Sequence, residues 1–398
     1  MDGKYVILKN RRLATGGPFE RAFERAMGVP AGVAEMASTA LSVETYDVNK
    51  RGLASHSMEP DVIAVAPAMR MKLIAPKTNF PERVEPENAA ITWGVAAVGA
   101  DRSPFTGNGI VVAVLDTGID ADHPAFADVE LIQKDFTGEG NGDRHGHGTH
   151  CAGTIFGRNI DGKRIGIAPG IKKALIGKVL DRNGGGSSDQ ICNAIVWAAE
   201  NGANVISMSL GMDFPGYQKD LEARGVPKEA ATSQALEGYR KNVMLFEKLA
   251  SLLSARSAMS QATIIVAAAG NESMRPEWEI AVSPPAIAEG IISVGALGKS
   301  AQGFNVASFS NTGANISAPG VDILSAKLGG GLVSFSGTSM ATPCVAGVAA
   351  LWAEKLKQEN QLYTLNLTAR LIGSTSTNGM VQGFDPLDVG AGMVRCPQ

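Results

Sequence analysis

The sequence predicts an α/β protein: a mostly parallel sheet with helices on both faces, preceded by a small α+β unit of ferredoxin-like type. Three observations point there. Continuous apolar runs, rich in β-branched residues, recur between residues 109 and 296 and stop at Gly, Asp or Asn. That is the pattern of strands buried on both faces. Helical periodicity falls between such runs, and strands alternating with helices imply parallel pairing. The first 75 residues pattern separately, and a proline-rich stretch follows them.

In chain order, residues 5–8 (Tyr-Val-Ile-Leu) form a strand candidate, and residues 19–27 carry apolar side chains at helical spacing. Residues 41–46 alternate as a strand does, and residues 61–67 are a short strand ending at Pro67. Residues 76–89 form a linker, or a segment lying extended on a surface, because Pro76, Pro81 and Pro86 punctuate polar residues. The large domain runs from 90 to 398. Its strand candidates are 109–115, 173–180, 205–210, 263–269 and 291–296, and 188–201 reads as a helix. Sites in such folds gather at the carboxyl ends of the strands. Asp116, Gly184 to Gly186, Ser209 to Gly211 and Gly270-Asn271 all fall there.

Composition narrows the functional classes. Hydrophobic residues make up 44% and charged residues 19%, which describes a globular protein with ample core. A net charge of −3 argues against a nucleic-acid or anionic membrane partner. No apolar run is long enough to span a bilayer. No signal peptide is visible at the N-terminus, so the expectation is a cytoplasmic protein if Met1 is the native start, and otherwise a secreted one whose signal is missing. Four cysteines show no disulfide spacing.

The chemistry-bearing residues cluster in three places. Gly337-Thr338-Ser339 leads into a small-residue helix, where a serine gains from the positive end of the helix dipole. Alone, it reads first as an ordinary N-cap. Three of the five histidines lie at His145, His147 and His150. They offer either a general base or an H-x-H-x-x-H metal set. Asp116 closes a buried strand, with Asp120 and Asp122 nearby. A serine needs a base to take its proton, and an imidazole needs a carboxylate behind it. Asp116, one histidine of the cluster and Ser339 supply that set in the order Asp, His, Ser.

Three segments resemble the subtilisin-like serine proteases, the subtilases: Asp116-Thr117-Gly118-Ile119-Asp120 with His123-Pro124, His147-Gly148-Thr149-His150-Cys151-Ala152-Gly153-Thr154, and Gly337-Thr338-Ser339-Met340-Ala341-Thr342-Pro343. The resemblance covers about residue 90 to the C-terminus. It implies a serine endopeptidase in which Asp116 orients the imidazole, His147 is the base and Ser339 the nucleophile. His123 and His150 would be structural. Asn271 would donate to the oxyanion, with the Ser339 backbone N–H as second donor. Substrate would add as a strand along Gly184, Gly185 and Gly186 on one side and Ser209, Leu210 and Gly211 on the other, with Ala268, Ala269 and Gly270 lining the primary pocket. Small residues there suggest an open, apolar pocket.

The resemblance also implies that no cofactor takes part in the chemistry. Calcium is a common structural ion in the family, and residues 158–162 and 181–183 offer oxygen atoms. Cys151 has a counterpart in a thiol-containing branch of the family. Residues 1–75 resemble, more weakly, a pro-domain that assists folding and inhibits the enzyme, so a zymogen cut between about 70 and 90 is expected, with a permanently attached accessory domain as the alternative. A long insert at about 212–260 reads as a surface helix or as a flap beside the cleft. The partners implied are a protein or peptide substrate and the chain's own pro-domain. A catalytically silent peptide binder and a narrow-specificity processing protease are the competing functions.

Overall fold

The computed structural model describes residues 3–12, 39–77, 89–257 and 261–398. The expected helix at 19–27 and most of the 76–89 linker lie outside the described residues. The N-terminal part comprises β1 (Gly3–Arg12), β2 (Thr39–Val48), α1 (Lys50–Ser57) and β3 (Val62–Pro67), with the antiparallel sheet order β2-β1-β3. A further strand, β4 (Arg70–Leu73), leaves this unit. Then come α2 (Trp93–Val98), β5 (Val111–Asp116), β6 (Glu130–Asp135), α3 (His147–Phe156), β7 (Lys173–Lys178) and β8 (Gly185–Ser187). Next are α4 (Ser188–Glu200), β9 (Val205–Met208), β10 (Leu210–Met212), α5 (Phe214–Ala223), α6 (Lys228–Ser257) and β11 (Ile264–Ala268). The chain closes with β12 (Ile291–Ser300), β13 (Gly303–Val306), β14 (Ile316–Pro319), β15 (Ile323–Ala326), β16 (Leu332–Phe335), α7 (Thr338–Gln358), α8 (Thr364–Gly373) and α9 (Pro386–Val389).

The central sheet has the order β13-β12-β11-β9-β5-β7-β6, with β14 also pairing β12. Every pair in it is parallel except β12 with β13, which is the mostly parallel sheet the apolar runs predict. Alternate residues feed two cores. Val112 and Val114 of β5 join one hydrophobic cluster, and Ala113 and Leu115 join the other. Ile264 and Val266 of β11 face the first, Ile265 and Ala267 the second. Each Val or Ile so buried is worth about 1.5–3 kcal/mol relative to exposure. Helices α3 and α7 cover the first face, and α4 and α6 the second.

Several elements depart from the expected pattern. Strand β6 is paired only to β7 at the sheet's edge and is mostly half-buried, so it lacks a continuous apolar run. The expected strand at 205–210 is two strands: β9 belongs to the central sheet, β10 to a small separate one. That small sheet has the order β10-β4-β8. Its middle strand, β4, comes from the last residues of the N-terminal unit, where residue patterning alone marks no strand.

Candidate active site

The parallel registers bring the strand ends together. Asp116, the last residue of β5, lies opposite Lys178 of β7, and Leu115 lies opposite Met208 of β9. Asp116 is buried, and its Oδ1 stands 2.8 Å from His147 Nδ1. A carboxylate oxygen only accepts, so the proton belongs on Nδ1 and Nε2 is left as the free base. Thr117 N–H also donates to Oδ1, at 2.8 Å.

His147 opens α3 because Gly146, in the left-handed region (φ 97°), ends the preceding loop. Glycines let that helix start and the loop before it sit against the turn after β5. A Cβ on Gly148 would lie 2.2 Å from the Gly118 carbonyl oxygen. One on Gly118 would lie 2.5 Å from the Gly142 carbonyl oxygen. Burial opposes charge on His147, but the Asp116 carboxylate beside Nδ1 outweighs it and holds the imidazole well above its ordinary pKa.

A residue not singled out from the sequence fastens this corner. Asp143 Oδ1 accepts from Thr117 Oγ1, His145 N and Gly146 N, each at 2.9 Å. Its Oδ2 accepts from Thr149 N at 2.9 Å and Thr149 Oγ1 at 2.7 Å. Burial pushes its carboxyl up, but these donors, Gly146 N–H foremost, win and hold it below the usual range. The sequence signal available was an Asp four residues before His147, flanked by glycine, in a loop that must cap a helix.

The other histidines do other work. His145 is exposed and meets His147 edge to face, 6.3 Å between ring centroids. His150 Nε2 lies 2.9 Å from the Ile323 carbonyl oxygen and its ring stacks on Phe335. Burial lowers its pKa to about 3, so it stays neutral. His123 Nε2 is 2.9 Å from Gly331 O, and its Nδ1 accepts from Ala125 N. Of the H-x-H-x-x-H rings, His147 turns to Asp116 and His150 to Ile323 while His145 stays exposed, so the three do not gather as one ligand set. Asp116, His147 and Cys151 bring ligand atoms within 4.8 Å of one another, but His147 Nδ1 is already spent on Asp116. Asp120 Oδ2 accepts from Gly329 N at 2.8 Å, away from the imidazole.

Ser339 is the second residue of α7 and is fully buried. Asn271 follows β11, and its amide is fixed in orientation. Its Oδ1 accepts from Thr338 N and Thr338 Oγ1, both at 2.9 Å. The Nδ2 group must then face the cleft. Thr338 is thus a second positioning residue that the motif hides in plain sight. Gly337 must be glycine, because a Cβ there would sit 2.9 Å from Asn271 Nδ2.

The cleft in front of Ser339 contains peptide. Strand β4 lies antiparallel to both β10 and β8, with Leu73 opposite Leu210, and Met71 opposite Gly186 and Met212. Leu73 N donates to Gly184 O at 2.7 Å, and Ile74 N to Ser209 O at 3.4 Å. The predicted edges, Gly184 to Gly186 and Ser209 to Gly211, therefore all flank an extended strand. Ile74 lies over Gly211, whose Cβ would meet Ile74 Cγ1 at 3.4 Å. Ser339 Oγ donates to Ile74 O at 2.7 Å, and Asn271 Nδ2 to Ala75 O at 3.0 Å. Beyond them, Lys77 N donates to Ser336 O at 2.7 Å. His147 Nε2 has no hydrogen-bond partner among the described residues. Ala268 and Ala269 are buried at the end of β11, and the Gly270 position excludes a side chain, since a Cβ would lie 2.2 Å from Asn311 Nδ2.

Cys151 is buried beside this assembly, its Sγ 3.7 Å from His147 Nδ1 and 3.4 Å from Ser339 O. Burial raises its pKa, so it is a thiol rather than a competing nucleophile.

Known proteins resemble this chain over most of its length. A model of the subtilase family matches residues 107–392. The chain is 33% identical over 354 residues to a thermostable alkaline protease of Halalkalibacterium halodurans, covering 85% of each chain. It is 34% identical over 307 residues to an intracellular serine protease of Paenibacillus polymyxa, 75% of this chain and 80% of that one. It is 35% identical over 303 residues to subtilisin Savinase of Lederbergia lenta, 73% of this chain and 95% of that one. The extent of these matches settles the family and the activity together: the chain belongs to the subtilases and is a subtilisin-like serine endopeptidase that needs no cofactor for catalysis.

Proposed function

We propose that Ser339 attacks the substrate carbonyl, with His147 as base, Asp116 as its orienting carboxylate and Asn271 as oxyanion donor. The observation that carries this reading is the peptide strand in the cleft. Its carbonyl groups lie within hydrogen-bond reach of both Ser339 and Asn271. In the reaction the Ser339 hydroxyl turns from a substrate carbonyl to His147 Nε2 and gives up its proton as Oγ bonds to the carbonyl carbon. The Asn271 amide and the Ser339 N–H hold the oxyanion. His147 then returns the proton to the leaving amine, and water releases the acyl group from Ser339 by the same steps. Ala268, Ala269 and Gly270 would wall the primary pocket around the side chain that Ile74 represents. A serine-directed fluorophosphonate tests the assignment. It should label the activated chain, with labelling lost in Ser339→Ala; label retained in that variant would remove Ser339 from the role.

We further propose that residues 1–75 are an inhibitory pro-domain, 76–89 the processing segment and 90–398 the catalytic domain, with an insert at about 212–260. Substrate-like pairing of β4 supports the inhibitory role. The Ser339 hydroxyl and the Asn271 amide address neighbouring carbonyls, Ile74 and Ala75, rather than one. Neither carbonyl is then both attacked and stabilised, which favours a segment that blocks before it is cut. Active protein running as one uncut chain on a denaturing gel would defeat the zymogen reading.

The two calcium candidates do not fit that ion. Asp181 Oδ1 already accepts from Asn183 N at 2.8 Å and Gly185 N at 2.9 Å. Asp161 sits in a tight turn closed by Ile160 and Lys163, with Arg164 following. No step of the mechanism runs through a metal. Among the described residues no helix is long and apolar enough to cross a membrane. The name of the Paenibacillus relative supports an intracellular setting, with secretion as the alternative.

A further inference from the structure

The insert supplies more than a surface helix. Its first helix, α5, starts immediately after the substrate-pairing strand β10. Asp213 and Asp220 stand seven residues apart at and along α5, two turns on one face. Both meet β4. Arg70 Nη1 is 2.9 Å from Asp220 Oδ2 and 3.2 Å from Oδ1. Lys72 Nζ is 3.6 Å from Asp213 Oδ1 and 3.9 Å from Glu272 Oε1, the latter projecting from the residue after Asn271. The strand alternates as its pairing requires. Met71 and Leu73 point inward at 2% and 8% exposure and pack in one cluster with Leu180, Leu210 and Met212. Arg70 and Lys72 point outward onto carboxylates.

Strand β4 thus shows what the cleft accepts. We propose that Asp213, Asp220 and Glu272 select substrates with basic residues two and four positions before the residue in the primary pocket, with apolar residues between. This rests on the reading of the cleft given above. Any peptide that displaces β4 in the same register sets its outward side chains where Lys72 and Arg70 now lie. Backbone pairing is blind to those side chains, so the discrimination falls to the three carboxylates. The pairs are partly exposed, so each gives a preference of only a few-fold, and salt weakens it.

The test compares kcat/KM of the activated chain on three peptides that copy the sequence of residues 69–77 apart from the two outward positions. Those positions carry Arg and Lys, two Gln, or two Glu. Hydrolysis of the Gln peptide reports the catalytic site itself; the ratio between peptides reports the carboxylates. The expected order is basic, neutral, acidic, with basic exceeding neutral by about five- to tenfold. That ratio should shrink in about 0.5 M salt. It should fall to about one in the triple variant Asp213→Asn, Asp220→Asn, Glu272→Gln. Asn at 213 preserves the helix cap. Asp220→Lys should reverse the preference at the outer position, which a purely structural role would not do. Equal rates on the basic and neutral peptides, or a basic preference that survives the triple variant, overturns the proposal while leaving the catalytic assignment standing.

Discussion

Asp143 does its work through five hydrogen bonds and touches no substrate. It ties Thr117, at the end of β5, to the first turn of α3. Its carboxyl is held below the ordinary range, so it is charged in the native state at neutral pH. A lowered folded pKa gives stability that is present above the unfolded value of about 3.9 and lost as pH falls through the lower folded one. Asp143→Asn turns an amide donor onto a donor and should cost about 2–4 kcal/mol, read as a lower melting temperature at pH 7. Between about pH 4 and the lower folded value the difference should narrow. His147 runs the other way. Its raised pKa favours the protonated form, so the Asp116 pair stabilises most at low pH and less as pH rises through the folded value. On the proposed role of His147 as base, activity needs the neutral form, so the acid limb of kcat/KM should lie above the ordinary histidine value of about 6.5. Asp116→Asn should move that limb down and lower kcat by about 10⁴-fold, the order known for related triads. Asn271→Ala should lower kcat by about 10²–10³ with little change in KM, the range found for this donor in the related subtilisin.

Elements meet in this molecule through glycine. The start of α3 sits against the turn after β5 because Gly148 lacks a side chain, and Gly118 in that turn leaves room for the loop at Gly142. Gly148→Ala would drive a methyl group to 2.2 Å from a backbone oxygen, and backbone cannot swing aside as a side chain can. It should separate His147 from Asp116 and lower kcat/KM by well over tenfold, with a loss of stability seen by calorimetry. Strand β4 is the element least visible in the sequence. Its four residues alternate charged and apolar, too short a run to mark a strand. Its partners, β8 and β10, lie more than 110 residues away in the chain. Periodicity is a local property, and this pairing is not. Strand β6 and helix α1 escape for the related reason that their polar residues leave little apolar signal.

At the scale of the whole molecule, the N-terminal sheet shares a core with the catalytic sheet. Val6, Leu8 and Leu41 join the cluster that holds Leu115, Ile206 and Phe246. Asn242 of α6, fully buried, donates to Pro67 O at 2.8 Å, and Lys4 pairs with Asp189 at 2.8 Å. The insert therefore has a second task besides bordering the cleft, since α6 packs on β3. Asn242→Leu would leave the Pro67 carbonyl without that donor and weaken docking by about 1–3 kcal/mol. The measurable outcome is faster hydrogen exchange in β1 and β3 with little change in β5.

The amino-acid sequence by itself determined the mostly parallel sheet and marked Asp116, His147, Asn271, Ser339 and the two glycine-bearing edges as candidates. These are written locally, as apolar runs that stop at turns and as motifs whose spacing is short. Tertiary structure set the geometry of that group, because the turn at Gly146 directs the His147 ring onto Asp116 and leaves His145 exposed. It decided that Asp143 and Thr338 hold the site, because their partners come from other elements. It also decided that Ile74 and Ala75 lie against Ser339 and Asn271. That arrangement joins residues about 200 and more positions apart, and only the closing of the whole core brings them within a hydrogen bond.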